Sequence, residues 1–124
     1  MELYTYYEKT IAGKTGIFVE ISDELATKCD PYWERTIIKG QHVYAFLTDN
    51  GICGCPAHTA KEAIDAFEHN VESNLFIPWD KPEQHSSNWK SFNLFFKRIR
   101  NNYLLEQQQE QSFDNRFVAI GEEL

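Results

Sequence analysis

Thr59 is followed three residues later by Glu62, and from Ala60 to Glu72 apolar residues recur at helical spacing. The hydroxyl at the first position can accept the amide three residues on, while the carboxylate reaches back to the amide of the cap residue. Ala60, Ala63, Ile64, Ala66, Phe67 and Val71 share one face of this helix, and Lys61, Glu62, Asp65, Glu68, His69 and Glu72 share the other. A helix with a single apolar stripe has to bury that stripe against another element. The preceding residues supply one. "HVYAFLT" and "ICGC" are rich in β-branched and aromatic residues and flank Asp49, Asn50 and Gly51. Asn-Gly between two such runs is a strong hairpin signal, because both residues tolerate positive φ. A hairpin leading into a one-faced helix restricts the chain to layered α+β architectures.

The rest of the chain extends this layout. "ELYTYYEKTI" and "GIFVEIS" read as two further strands joined by "AGKTG". That "GKT" is a hairpin turn rather than a phosphate-binding loop, since Glu8 stands where such a loop needs glycine. A short helical turn is expected over residues 23–29, before Pro31, and "RTIIKG" reads as a short strand. After the capped helix, "NLFIPW" is an extended apolar piece and "DKPEQHSS" a polar loop. A second helix, about residues 88–105, begins near Ser86 or Ser87. Its stripe of Trp89, Phe92, Phe95, Phe96, Ile99 and Tyr103 carries a large aromatic payload for the core. "EQQQEQSFDN" is a polar connector and "RFVAIG" reads as a last strand. The expected fold is α+β, a mostly antiparallel sheet of four to five strands packed against two helices, in one domain spanning residues 1–124.

Composition limits the function classes. No apolar run reaches the roughly 18 residues of a membrane helix, and "MELYTYYEKT" lacks the basic-then-apolar order of a secretory leader. Three cysteines make an odd number with no framework of pairs, which points to the cytoplasm. The formal charge is −7, and it is lopsided: fourteen acids against seven bases in residues 1–85, five against five afterwards. Such a surface repels phosphate backbones, making direct nucleic-acid binding an unfavoured reading, and it steers basic partners inward.

Three side-chain groups carry chemistry. Cys53, Cys55 and His58 lie within six positions. On a strand, Cys-x-Cys aims both sulfurs at one face, yet zinc sites usually space paired cysteines more widely and need a fourth ligand. Cys29, His42, His69 and His85 are the only further cysteine or histidines, and none has recognisable spacing. A helix start beside Cys55 would lower a thiol pKa, with His58 as a base. The ordinary reading is a strand–loop–helix junction, in which buried cysteines act as small hydrophobes. Gly54 then permits a bulge or close approach, and Pro56 ends the strand.

The polar face of the first helix is the second group. Asp65 and Glu68, then Glu68 and Glu72, are like charges at helical neighbour spacing, which costs a few tenths of a kcal/mol each. Glu72 also sits where the helix dipole disfavours an acid. A surface carrying these costs is matched to a basic partner, with Glu62, Asp65, Glu68 and Glu72 steering and Asp80 and Glu83 at the rim. The third group is Lys97, Arg98 and Arg100 on the second helix, a small basic patch whose stems can also cover the aromatic stripe. Leu94 and Leu105 lie off that stripe and near one another, a possible dimer contact.

Residues 74–96, "NLFIPWDKPEQHSSNWKSFNLFF", resemble bacterial immunity proteins of contact-dependent growth inhibition systems. Pro78, Trp79, Asp80 and Trp89 match that pattern, and His85 stands where an aromatic residue is usual. Members usually continue with two or more strands after the helix, whereas one is expected here. The resemblance implies neutralisation of a toxin by direct binding, without catalysis or cofactor. The expected function is therefore that of a small acidic cytoplasmic protein that occludes a basic active or nucleic-acid-binding surface. Its partner would be a nuclease toxin or a host defence nucleoprotein complex. A metal or thiol protein centred on Cys53, Cys55 and His58 is the second reading, and a nucleic-acid-binding regulatory domain using Lys97, Arg98 and Arg100 the third.

Overall fold

The computed structural model describes residues 4–80 and 92–107. Its framework is a four-stranded antiparallel meander, ordered β1 (Tyr4–Ile11), β2 (Lys14–Ile21), β3 (His42–Thr48) and β4 (Gly51–Ala57). Two short helices, α1 (Asp23–Cys29) and α2 (Trp33–Ile38), connect β2 to β3, and α3 (Ala60–Glu72) follows β4. Residues 93–107 form a further helix, α4. The chain divides into two compact units, residues 1–94 and 95–124.

Register explains both faces of the sheet. One row runs Tyr7–Phe18–Phe46–Cys53 across the four strands, and the next row on that face runs Thr5–Glu20–Tyr44–Cys55. Onto this face packs the predicted stripe of α3. Ala63 and Phe67 are fully buried, with Ala60, Ile64 and Val71 against the same cluster. The Phe67 ring meets Phe18 edge-on at 6.0 Å and lies stacked near Phe46 at 6.2 Å. Burying a phenylalanine this way contributes about 1.5–3 kcal/mol. The opposite face presents Ile17, Val19, Ile21, Val43, Ala45, Leu47 and Ile52, all buried. With both faces covered, β3 is buried continuously from Val43 to Thr48, as a central strand should be.

The turns follow local chemistry. Ala12 and Gly13 both have positive φ, 51° and 81°, which matches the twist of the β1–β2 hairpin. At the β3–β4 turn the connecting residues are Asp49 and Asn50, one position earlier than the Asn-Gly pair suggests. Thr48 is the reason: its hydroxyl accepts the amides of Asn50 and Gly51 and donates to the Gly51 carbonyl. Gly51 serves a different need. Its φ is +144°, and a Cβ there would come within 2.5 Å of the Ile77 carbonyl oxygen. Ile77 reaches that position through the extended "NLFIPW" piece, exchanging two 2.9 Å backbone hydrogen bonds with Ile52.

Several expectations are corrected. "RTIIKG" is helical rather than extended, most of it forming α2. Thr36, Ile37 and Ile38 favour strand by type, but Asp30 accepts the Tyr32 amide on its side chain and the Trp33 amide on its carbonyl, starting a helical turn. Gly40, at φ +88°, closes the turn as its amide bonds Ile37 and that of Gln41 bonds Thr36. Pro56 does not end β4, which runs on to Ala57; proline is tolerated because β4 is an edge strand at that end. The ladder passes through Gly54 without a bulge. Glu62 accepts the amide of His58, one residue before the cap, while Thr59 caps Glu62 as expected.

In α4, Phe92 just before it, Phe96 and Ile99 are buried and Phe95 and Tyr103 half-buried, the predicted stripe. The described part of this helix begins at residue 93, and the expected start near Ser86 or Ser87 lies outside the described residues. Trp89, the polar loop after Asp80 and "RFVAIG" lie outside the described residues.

Candidate functional site

Three sets of side chains have to be weighed, and the structure separates them. At the β4–α3 junction, Cys53 and Cys55 do share a face of the strand, as their spacing requires. That face lies under α3. Cys53 is 2% exposed and its Sγ sits 3.8 Å from the Leu75 carbonyl. Burial pushes the Cys53 thiol up to about 12 and the Cys55 thiol to about 11, opposite to what a nucleophile requires. His58 turns elsewhere: it is exposed, with Nδ1 3.3 Å from the Gly40 carbonyl. Among the described residues, no three His, Cys, Asp or Glu side chains form a group that could hold a metal ion. Cys29, at the end of α1, has a thiol raised by burial and by neighbouring Asp30.

The acidic face of α3 is open. Glu62, Asp65, Glu68 and Glu72 are all exposed, as are Lys61 and His69. Glu62 is fixed by its bond to the His58 amide. Asp65, Glu68 and Glu72 make no ion pair with any described residue. Asp80 is exposed beyond the helix, and Glu83 lies outside the described residues. The end of α3 is fixed by Asn74, at φ 55°, whose amide bonds Val71 while that of Leu75 bonds Asn70. This turn leaves the Leu75 side chain 57% exposed three residues after Glu72. On α4, Lys97 and Arg98 are exposed and Arg100 is half-buried. Leu94 and Leu105 are exposed as well, at 66% and 53%.

A third set has no sequence motif. Ser22 caps α1 by accepting the Leu25 amide at 3.1 Å, and this places Asp23 beside the first residue of β3. Asp23 Oδ1 and His42 Nδ1 are 2.9 Å apart. Register brings Glu20 next to Tyr44 on one side and Thr5 on the other, with the Thr5 hydroxyl donating to Glu20 at 3.3 Å. These residues, with Tyr4 and Ile21, line an open cleft of about 340 Å³. Tyr44 is only 6% exposed. Burial and the charges of Glu20 and Asp23 raise its phenol, so the cleft carries a negative field. Thr5, Glu20, Asp23, His42 and Tyr44 come from three strands and a helix start, and only the register assembles them.

Comparison with family models, curated proteins and solved structures finds no match to this chain. No described helix is long and apolar enough to cross a membrane.

Proposed function

We propose that this chain is a small acidic binding protein of the cytoplasm that neutralises another protein by occluding a basic active or nucleic-acid-binding surface. A toxin immunity protein is one form of that role, in line with the resemblance of residues 74–96, and a phage-encoded inhibitor of a host defence complex is another. The observation carrying the reading is the exposed face of α3, where Asp65, Glu68 and Glu72 stand without a described cationic partner. Unpaired like charges on one rigid helix are a steering surface for a basic protein. Affinity needs an apolar anchor besides. Leu75, exposed just past the acidic face, is the nearest along the chain. The role is non-catalytic and needs no cofactor, and the raised thiols of Cys53 and Cys55 weigh against the alternative of thiol chemistry.

The test begins with the protein isolated from its own host and its native mass, which gives the stoichiometry and identity of the partner. Association is then followed at several salt concentrations for the parent and for Asp65→Lys combined with Glu68→Lys. The reversed variant should associate about ten-fold more slowly at low salt and lose most of the salt dependence. Equal rates and equal salt slopes would remove the acidic face from the function.

A further inference from the structure

The cleft at the β2–α1–β3 corner shares no residue with the α3 face and stands independently of the reading above. We infer that it is a binding site for an organic cation of side-chain size, the guanidinium or ammonium head of an arginine or lysine being the chemistry it fits. Four observations converge on this. Glu20 has no cationic partner among the described residues, only the Thr5 hydroxyl, and Asp23 has only His42. Second, the buried Tyr44 lines the cleft with a hydroxyl that makes no hydrogen bond to any described residue. The hydroxyl is itself open to solvent, so a polar ligand head in the cleft can bond it.

Third, the walls suit a cation with an apolar stem. Tyr4 and Tyr44 offer aromatic surface and Ile21 an aliphatic one, while Glu20 and Asp23 supply carboxylates at the same opening. Rings beside carboxylates bind organic cations through both charge and the ring quadrupole. Fourth, the size is right. A volume of about 340 Å³ stands at the small end of ligand pockets, enough for one long side chain. A metal ion is a poorer fit, because Glu20, Asp23 and His42 do not converge closely enough to form a coordinating group.

The cation could be a free small molecule or a residue on a partner protein, and one titration distinguishes them. Isotope-labelled protein spanning residues 1–124 is titrated with N-acetylarginine amide, with its neutral isostere N-acetylcitrulline amide, and with agmatine, while backbone amide shifts are followed. The arginine compound should bind with roughly millimolar affinity, with saturating shifts at Thr5, Glu20, Ile21, Asp23, His42 and Tyr44. Citrulline should bind at least about ten-fold more weakly, and Glu20→Gln should impose a similar loss on the arginine compound. Asp23→Asn serves as the second variant, and the spectra themselves report whether each remains folded. Tighter binding of the blocked amino acid than of agmatine marks a protein side chain as the natural ligand. The reverse order marks a free small cation. Equal binding of citrulline, or shifts as large at Asp65 and Glu68 as in the cleft, would overturn the site.

Discussion

The molecule contains two strand-to-helix junctions built to the same plan, and they end up with opposite properties. At β2–α1, Ser22 caps the helix and Asp23 meets His42; at β4–α3, Thr59 caps the helix and His58 meets the Gly40 carbonyl. The second has the residue types associated with chemistry, two cysteines and a histidine. Its Cys53 thiol is buried in the cluster that Phe67 completes, and Cys55 is partly buried against the same cluster. The first consists of ordinary strand residues and one aspartate, yet it is the corner that opens. The difference lies in the reach of α3. This helix covers the Phe18–Phe46–Cys53 row, whereas Thr5 and Glu20, in the next row on the same face of the sheet, stay at the surface and line the open cleft. Reactivity depends on where a covering element stops as much as on which residues lie under it.

The sharpest way to break the closed junction is to remove its lid residue. Phe67→Ala should cost about 3–5 kcal/mol of stability, the range for deleting a fully buried aromatic ring. Chemical denaturation gives the value, and thiol labelling of Cys53 at neutral pH should accelerate as the variant opens. A loss below about 1 kcal/mol would mean the cluster closes over the gap and the lid is not Phe67. At the open junction, Glu20→Gln should cost far less, within about 0.5 kcal/mol, because that site is half-exposed.

Alkaline titration separates the same two corners. The thiols of Cys53 and Cys55 are raised from 9.0 to about 12 and about 11 by burial. The unfolded chain therefore releases these protons first. Their contribution is complete below pH 9.0 and declines above it, by up to about 1.4 kcal/mol per pH unit for each thiol, until the folded thiols titrate in turn. Cys53→Ala with Cys55→Ala should flatten the fall in denaturation midpoint between about pH 8 and pH 9.5, below the range in which the Tyr44 phenol begins to contribute, whereas Asp23→Asn should leave that part of the curve unchanged. Parallel curves for parent and double variant would place the thiols in contact with solvent.

The two junctions also differ in how far they can be read from residues alone. α3 was legible to its end residues, since Thr59, Glu62 and the six-residue stripe are local signals along one segment. The strands were legible for the same reason, and so was α1 before Pro31. α2 was not. Its β-branched run argued for strand, and the competing signals, Asp30-Pro31 at one end and Gly40 at the other, mark a helix only when read together. The Asp49–Asn50 turn was displaced by one residue because a threonine hydroxyl, not the glycine, organises it. The cleft has no local signature whatever. Thr5, Glu20 and Tyr44 become neighbours only after the β1–β2 hairpin and the β2–β3 pairing across α1 and α2 are in register, so nothing short of the fold could reveal it.

The caps provide a finer comparison. Thr59→Ala and Ser22→Ala each remove one side-chain acceptor from a helix start, at a cost of about 1 kcal/mol. Thr59→Ala should appear nearly in full as lost global stability, since α3 roofs the core. Ser22→Ala should in part be spent locally, as fraying of the seven-residue α1. Hydrogen exchange at the Leu25 and Glu62 amides distinguishes the two. Matched global losses would mean α1 is as tightly tied to the core as α3.

The smallest effect tests the acidic face itself. If Asp65, Glu68 and Glu72 are held against their own repulsion for the sake of a partner, neutralising one should stabilise the isolated protein. Glu68 is the informative position, because it has an acid three residues before it and another four after it. Glu68→Gln relieves both contacts and should raise stability by a few tenths of a kcal/mol at low salt, fading as salt screens the charges. Glu72→Gln should gain similarly through the helix dipole. Small as these shifts are, their sign decides the matter. A gain in stability accompanied by slower association with the partner would mark a surface tuned for binding at the expense of folding. A loss of stability in either variant would instead mean that the carboxylates are held by favourable contacts within the chain, and the face would be a structural feature rather than a recognition surface.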